Sequence, residues 1–189
     1  IGPGAIGAPL AAWLADAGHR VTVLARGPNG GRIREHGIVW ATREPKDTGT
    51  SRVDVVDALS AAPKPDAVLF AMKSSSLQAA ADAVLETFGK DVLVIGLQNG
   101  LEAHRVLPPR FPRTCFGIVH WNGFIEPDGT FVSQKRGPLL VTRGPWTRDE
   151  DLALAHTIFA RALPSVRSPF GRDAAPVSYT HLTLPTSDL

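Results

Sequence analysis

The chain begins with a G-x-G-x-x-G pattern, a spacing that can fold into a phosphate-binding turn, and its six residues are Gly2, Pro3, Gly4, Ala5, Ile6 and Gly7. In such a turn the first glycine permits a sharp bend and the second lets the backbone approach a pyrophosphate, while the third lets helix and strand pack closely. The N–H groups at the start of the next helix then face the phosphate charge. The pattern alone is weak, so its meaning depends on the elements around it.

The residues around this turn have the order that a dinucleotide-binding βαβ unit requires. Residues 8–17 are rich in alanine and leucine and predict a helix that ends at Gly18. Residues 19–25 are largely apolar and β-branched and predict a strand. Only Ile1 stands before the turn, so we expect the first strand of the unit to be mostly missing.

Two further apolar runs predict strands buried on both faces of a parallel sheet, at residues 67–72 and 91–97. Between them a helix is predicted from Leu77 to near Gly89, with Ser74, Ser75 or Ser76 as its cap. Strands that alternate with helices in this way are typical of a doubly wound α/β fold. We therefore predict a Rossmann-like, mostly parallel sheet.

The other segments are predicted from turn residues and short apolar runs. Residues 27–31 are expected to form a turn and residues 42–51 an irregular polar region. Residues 115–120, 130–133 and 139–142 predict meander strands that extend the sheet. Residues 149–163 predict a helix with an acidic first turn, which suits the helix dipole.

Composition narrows the class of protein. With 189 residues and 43% hydrophobic content, the chain can bury the core of one large domain. Its formal charge of +2 is spread along the sequence, which indicates neither nucleic-acid nor membrane binding. The single cysteine, Cys115, cannot form an internal disulfide, so a cytoplasmic location is expected. Its apolar surroundings favour packing over catalysis, and no spacing of acidic residues and histidines predicts a metal site.

Arg26 ends the second predicted strand, where a dinucleotide fold meets the adenosine ribose. An acidic residue there would bind the ribose hydroxyls of NAD, whereas an arginine matches the charge of the 2′-phosphate of NADP. The residue therefore favours NADP(H). Arg32 and Arg34 could strengthen this field, although solvated charges on a short helix are the more ordinary interpretation.

Three polar residues follow the buried strands at the edge where such sheets bind ligands: Lys73, Gln98 and Asn99. The two amides beside Gly100 suit hydrogen bonds to a nicotinamide ribose or to a substrate oxygen. The alternatives are a lysine that extends into solvent and an ordinary turn. His120 could act as an acid or base, but a packed or solvent-facing side chain is the more ordinary interpretation.

The motifs, taken in order, resemble the ketopantoate reductase family, and the resemblance extends to about residue 170. They are the glycine-rich turn, Val21-Thr22-Val23-Leu24-Ala25-Arg26, Met72-Lys73, Leu97-Gln98-Asn99-Gly100-Leu101 and Trp121-Asn122-Gly123. The resemblance implies reduction of a small 2-oxoacid, 2-dehydropantoate, to pantoate by NADPH, a step toward pantothenate and coenzyme A.

The resemblance also implies roles for individual residues. The turn from Gly2 to Gly7 would hold the pyrophosphate, Arg26 the 2′-phosphate, and Lys73 a phosphate or ribose of the cofactor. Asn99 would contact both cofactor and substrate, and the backbone near Trp121 would approach the nicotinamide.

Members of the family continue into a helical C-terminal domain that supplies the proton-donating lysine. We expect residues 1–170 to form the NADP-binding domain alone, with no catalytic residue and no activity as a fragment. Residues 171–189 resemble the translation of a sequencing-library adapter and are expected to be foreign. A homodimer is expected only for the full-length protein.

Two other functions stay open at this point. A non-catalytic module that binds NADP would need the turn and Arg26 but no proton donor. Another Rossmann dehydrogenase, of the opine or 2-oxoacid type, would share the arginine, although Lys73 and the Gln98-Asn99-Gly100 sequence argue mildly against it.

Overall fold

The computed structural model describes residues 1–167, so the tail predicted for residues 171–189 lies outside the described residues. Its helices are α1 (Gly7–Asp16), α2 (Gly27–His36), α3 (Leu77–Phe88), α4 (Glu102–Val106) and α5 (Asp149–Ala160). Its strands are β1 (Thr22–Leu24), β2 (Ile38–Arg43), β3 (Lys46–Ser51), β4 (Asp54–Val56), β5 (Ala67–Phe70), β6 (Leu93–Gly96), β7 (Thr114–Val119), β8 (Gly123–Ile125), β9 (Phe131–Ser133), β10 (Leu139–Arg143) and β11 (Val166–Arg167).

The strands form three sheets, and one of them contains the predicted parallel strands. A five-stranded sheet has the order β11-β10-β7-β6-β5, in which β5, β6 and β7 are parallel and β10 is antiparallel to β7. A separate parallel pair consists of β1 and β4. The remaining sheet has the order β3-β2-β9-β8. The fold is thus Rossmann-like α/β, as the alternation of strands and helices predicts.

Helix α1 forms where the alanine- and leucine-rich run predicts it. Its buried face includes Leu10, Trp13 and Leu14, which lie in the same hydrophobic core as residues of β6 and α5. The helix ends before Gly18, whose φ of +89° is readily adopted only by glycine and whose N–H bonds to the Ala15 carbonyl. Burial of this face packs α1 into the core that it shares with β6 and α5.

Residues 27–31 form the first half of α2, so the predicted turn was wrong. Pro28 sits in the first turn of the helix, where it costs no hydrogen bond, and Arg26 precedes the helix in an extended conformation. Gly30 is buried so closely against the Ala25 carbonyl that a Cβ atom would collide with it. Gly30 therefore serves close packing here, although glycine-rich sequence usually indicates a turn.

Two further predictions were wrong, and both concern the four-stranded sheet β3-β2-β9-β8, which we call the second sheet. Residues 42–51 are largely strand: β3 pairs antiparallel with β2 along its full length, so backbone pairing overrides a polar sequence. Residues 130–133 do not extend the parallel sheet, because β9 pairs with β2 and β8 instead. The meander prediction holds for β7 and β10.

The predicted serine cap also differs from the structure. Ser74, Ser75 and Ser76 form a short 3₁₀ turn before α3, and no serine side chain caps the helix.

A cluster of three tryptophans joins α1 to the second sheet. The ring centroid of Trp13 lies 6.1 Å from that of Trp40 and 5.7 Å from that of Trp121. The guanidinium of Arg136 lies over Trp13 and Trp40, at 5.5 and 5.9 Å from their ring centroids, and donates to the Ala162 carbonyl at 2.8 Å. This packing holds the second sheet against the helix that follows the glycine-rich turn.

Ile1 continues the parallel sheet by one residue. Its amino group donates to the Leu69 carbonyl at 2.7 Å, and its carbonyl accepts from the Ala71 N–H at 2.9 Å. In a parallel ladder, a residue bonds to the residues before and after its partner on the next strand. Ile1 bonds in this way to the residues before and after Phe70. Ile1 therefore places the glycine-rich turn directly beyond the end of β5.

Asp151 is the buried anion of the fold. Its side chain has no exposed surface, and its carboxylate bonds to Arg113 Nε at 2.7 Å and to Arg148 Nε at 3.2 Å. Burial alone would raise the pKa of Asp151, but hydrogen bonds and charge from the two arginines outweigh it, and the net pKa is lowered. The ion pair stabilises the contact of α5 with the strand that Arg113 precedes.

We expect Asp151→Ala to lower the free energy of unfolding by about 1–3 kcal/mol at pH 7, because two arginines lose a charged partner. The pKa of Asp151 is lowered on folding. The stability that its charge contributes is therefore complete above the unfolded pKa near 3.8 and is lost as the pH falls through the folded pKa. Urea melts between pH 7 and pH 2 measure it. The control Asp149→Ala removes a 91% exposed carboxylate from the same turn and should change little. An equal loss in both variants would contradict the role of Asp151.

Candidate cofactor site

The glycine-rich turn is held by backbone contacts that leave no room for side chains at its two ends. Gly2 has a φ of +88°, and a Cβ there would lie 2.6 Å from the Met72 nitrogen. A Cβ at Gly7 would collide with the Gly2 carbonyl and lie 2.8 Å from Ala71 Cβ. By contrast, a Cβ at Gly4 would meet nothing within 4 Å. The first and third glycines thus serve the fold, whereas the second leaves open space beside the backbone.

The N–H groups at the start of α1 form a small donor set. Ala8 already donates to the Gly4 carbonyl at 3.0 Å, Gly4 donates to Gly2 at 2.8 Å, and Pro3 has no N–H. The donors before the first helical bond are therefore those of Ala5, Ile6 and Gly7. No side chain caps this end of the helix. Such a terminus favours an anion.

A cleft of about 430 Å³ opens beside the turn. Gly2, Pro3, Arg26 and Met72 border it, together with small residues of α3. Arg26 is exposed, and its Nε donates to the Asp57 carbonyl at 3.3 Å. A guanidinium with a single long hydrogen bond at the rim of this cleft remains able to bind an anion.

Arg32 and Arg34 are placed differently from Arg26. Arg32 donates to the carbonyl of Gly129, in the turn between β8 and β9, and lies 5.1 Å from the ring centroid of Phe131. Arg34 reaches the Val55 carbonyl at 3.5 Å. Neither borders the cleft beside the turn, so the structure does not bring them together with Arg26 there.

Asn29 belongs to the site, although sequence analysis missed it. Its Nδ2 donates to the Pro3 carbonyl at 3.2 Å, and its Oδ1 accepts from Arg32 Nη2 at 3.2 Å. The asparagine thus connects α2 to the glycine-rich turn. Its position three residues before Arg32 on one helix face was the available signal, but it required residues 27–31 to be recognised as helix.

Lys73, Gln98 and Asn99 all follow the carboxyl ends of parallel strands, as predicted. Lys73 and Asn99 are exposed. Gln98 is half-buried, and its Nε2 donates to the carbonyls of Phe70 at 2.9 Å and Met72 at 3.1 Å. Since Met72 also touches Gly2, these residues and the turn share one edge of the sheet.

The Trp121 side chain is packed in the core and is only 4% exposed. Its neighbour Gly123 lies close enough to the turn that a Cβ there would be 2.5 Å from the Ala5 carbonyl. The chain after β7 therefore reaches the glycine-rich turn through backbone, not through the indole. Within this segment, His120 is exposed, and its backbone N–H donates to the Pro138 carbonyl at 3.2 Å.

The residues at this edge fit a dinucleotide. The open space at Gly4 and the donors of Ala5 to Gly7 suit a pyrophosphate, and Arg26 lies at the rim where an adenosine phosphate would extend. Over residues 1–167 no group of histidine, cysteine and acidic side chains has a metal-binding arrangement. Within the same residues, no helix is long and apolar enough to cross a bilayer.

Comparison with known proteins points to one family. Residues 1–146 match the family model described as ketopantoate reductase PanE/ApbA. A 2-dehydropantoate 2-reductase from Pyrococcus horikoshii is 25% identical over 162 residues, which cover 86% of this chain and 52% of that protein. The chain thus spans about half the length of this relative.

Solved structures agree in fold. The PanE/ApbA family ketopantoate reductase from Ralstonia eutropha JMP134 has a TM-score of 0.74 and 28% identity, over 90% of this chain and 55% of that one. The 2-dehydropantoate 2-reductase from Geobacter metallireducens GS-15 has a TM-score of 0.76 and 19% identity, over 89% and 56%. A D-mandelate dehydrogenase solved with NADH and anilino(oxo)acetate shares the fold at 18% identity and a TM-score of 0.71, over 88% of this chain and 55% of that one.

The two kinds of glycine in the turn should respond differently to a methyl group. We expect Gly7→Ala to lower the free energy of unfolding by about 1–3 kcal/mol, because its Cβ collides with backbone. Gly4→Ala, with open space around its Cβ, should stay within about 0.5 kcal/mol of the parent chain. Chemical denaturation of the matched pair checks this, and equal stability of the two variants would contradict the packing described.

Burial makes Cys115 an unreactive thiol. Burial and the nearby Asp151 charge raise the pKa of Cys115 to about 12 despite a hydrogen bond from Thr147, so the thiolate is scarce at neutral pH. We expect a disulfide reagent to leave the folded chain unlabelled at pH 8 and to label one thiol per chain in denaturant. Rapid labelling of the folded protein would show that the thiol is accessible.

Proposed function

The chain belongs to the ketopantoate reductase family, and we propose that it is the NADP(H)-binding part of a reductase that converts 2-dehydropantoate to pantoate. The observation that carries the proposal is the glycine-rich turn, which is closed to side chains at Gly2 and Gly7 and open at Gly4, and whose Gly2 and Pro3 border the same cleft as Arg26. The match to the family model supports the substrate class, a small 2-oxoacid. We place the step in pantothenate and coenzyme A biosynthesis.

In this proposal the residues of the turn bind and orient the pyrophosphate. The N–H groups of Ala5, Ile6 and Gly7 face the phosphate oxygens, with the dipole of α1 aligned behind them. Asn29 holds the Pro3 carbonyl, so the peptide that precedes Gly4 keeps its direction when an anion binds. Bound NADPH would supply a hydride for the ketone carbon.

Arg26 is the residue that would select the phosphorylated cofactor. A guanidinium forms charge-assisted, bidentate bonds with a phosphate but gains much less from neutral ribose hydroxyls. Its exposed position lets it reach an anion at the rim without loss of a buried bond.

At the other end of the cofactor, Lys73 would bind a phosphate or ribose, and Asn99 would bind both the nicotinamide ribose and the substrate. The backbone after Trp121 would approach the nicotinamide. A cytoplasmic location and a homodimer of the longer protein remain predictions from the sequence.

A non-catalytic NADP-binding module is the other function compatible with these contacts. It needs the same turn and Arg26 and differs only in the absence of 2-oxoacid turnover. Reduction of 2-dehydropantoate by the longer protein, followed by the absorbance of the reduced nicotinamide, separates the two.

Fluorescence titration of the 189-residue chain with NADPH and NADH tests cofactor binding. We expect tighter binding of NADPH, and Arg26→Ala should raise its Kd about 10- to 100-fold because one charge-assisted contact is lost. The Kd for NADH should be unchanged. Arg34→Ala is the matched control, since it removes an exposed arginine of the helix that follows Arg26, and this arginine does not border the cleft.

Three results would contradict the proposal. Equal affinity for the two cofactors would exclude selection of the 2′-phosphate. The same loss in Arg34→Ala would indicate a general charge effect, and a folded chain that binds neither cofactor would lack the proposed site.

A further inference from the structure

Gln98 extends the pairing of β5 and β6 beyond the point where their backbones separate. The last backbone bond between them runs from the Leu97 N–H to the Phe70 carbonyl at 3.0 Å. The Gln98 side chain then donates to the same carbonyl at 2.9 Å and to the Met72 carbonyl at 3.1 Å. A side-chain amide thus takes the place of the next rung of the ladder.

The hydrogens of this amide are not available to a ligand. An NH₂ group has two hydrogens, and the two carbonyls account for both. The Oε1 atom is buried and has no hydrogen-bond partner among residues 1–167. A flipped amide would place this oxygen against two carbonyl oxygens, so the orientation is determined by the nitrogen contacts.

Met72 transmits this contact to two parts of the cofactor site. A Cβ atom added at Gly2 would lie 2.6 Å from the backbone nitrogen of Met72, so the two backbones are in close contact. The Met72 carbonyl belongs to the peptide that leads into Lys73, and the Lys73 carbonyl is held in turn by the Ser76 N–H at 3.1 Å. The path of the chain through Met72 and Lys73 is therefore fixed from both sides.

From these contacts we infer that Gln98 is a positioning residue: it holds the Met72–Lys73 segment in place for the cofactor and does not bind the cofactor itself. The inference rests on the proposed function in one respect, that Lys73 contacts NADPH. It assigns to Gln98 a role distinct from that of its neighbour Asn99, whose side chain is exposed.

A double-mutant cycle separates positioning from direct binding. Gln98→Leu keeps the size of the side chain but removes both hydrogen bonds, and we expect it to raise the Kd for NADPH about fivefold. In a Lys73→Ala background the same substitution should change the Kd less than about twofold, because the group that it positions is gone. A full effect in that background would overturn the inference, since Gln98 would then not act through Lys73.

Hydrogen–deuterium exchange on the cofactor-free chain supplies a second readout. We expect Gln98→Leu to speed exchange in the peptide that contains residues 71–76, whereas the control Gln78→Leu, an exposed glutamine on α3, should not. Unchanged exchange in the Gln98 variant would overturn the inference. If the parent chain binds no NADPH, the proposed function fails, but exchange still decides whether Gln98 holds this segment.

Circular dichroism checks that each variant is folded. If Gln98→Leu does not fold, Gln98→His replaces it in both measurements, because histidine retains a ring N–H donor. We expect the histidine variant, which can keep at most part of the hydrogen bonding, to raise the Kd for NADPH and to speed exchange at residues 71–76. Parent-like values in both measurements would overturn the inference.

Discussion

The contact between the backbones of Gly2 and Met72 is the constraint on which the site depends. No side chain fits at Gly2, so the turn can lie against the end of β5 only if glycine stands there. This contact brings the start of α1, with its unpaired N–H groups, to the same edge as the residues after β5 and β6. Asn29 and Gly123 approach the turn from two other directions, at the Pro3 and Ala5 carbonyls. The turn is therefore rigid before any ligand binds, which lowers the entropic cost of binding an anion there.

The second sheet explains how these distant segments reach the turn. It contains β8, which begins at Gly123, and β9, which carries Phe131 beneath the guanidinium of Arg32. The packing of Trp13 against Trp40 and Trp121 ties this sheet to α1, the helix that the turn begins. Displacement of the sheet would thus move both α1 and the segment after Trp121. The tryptophan cluster thus joins α1 to this sheet, and the contact of Arg32 with Phe131 joins α2 to the same sheet.

The sequence predicted the central elements well because their signals are local. The alanine-rich helix, the apolar strands and the polar residues at strand ends all depend on short patterns that the structure confirms. It failed where tertiary contacts decide: Gly30 packs against the Ala25 carbonyl within a helix, and polar residues 46–51 form a strand only because β2 lies beside them. The part played by Asn29 could not be predicted for the same reason, since it depends on the helix that was read as a turn. The hydrogen bonds of Gln98 cross between two strands and leave no pattern in one chain segment.

Three arginines lie on or beside α2, and their surroundings separate them more clearly than their sequence positions do. Arg32 is held by a carbonyl, the Asn29 amide oxygen and an aromatic ring, so its release for an anion would cost all three contacts. Arg34 extends toward Val55, outside the cleft. Arg26 alone of the three borders the cleft, which Met72 and small residues of α3 also line. In the proposed site, selection between phosphorylated and unphosphorylated cofactor would depend on one exposed charge, whose effect weakens as ionic strength rises. Such selection should be modest in strength and easily altered by substitution at Arg26, whereas the pyrophosphate site, built from backbone, should tolerate changes in the surrounding side chains.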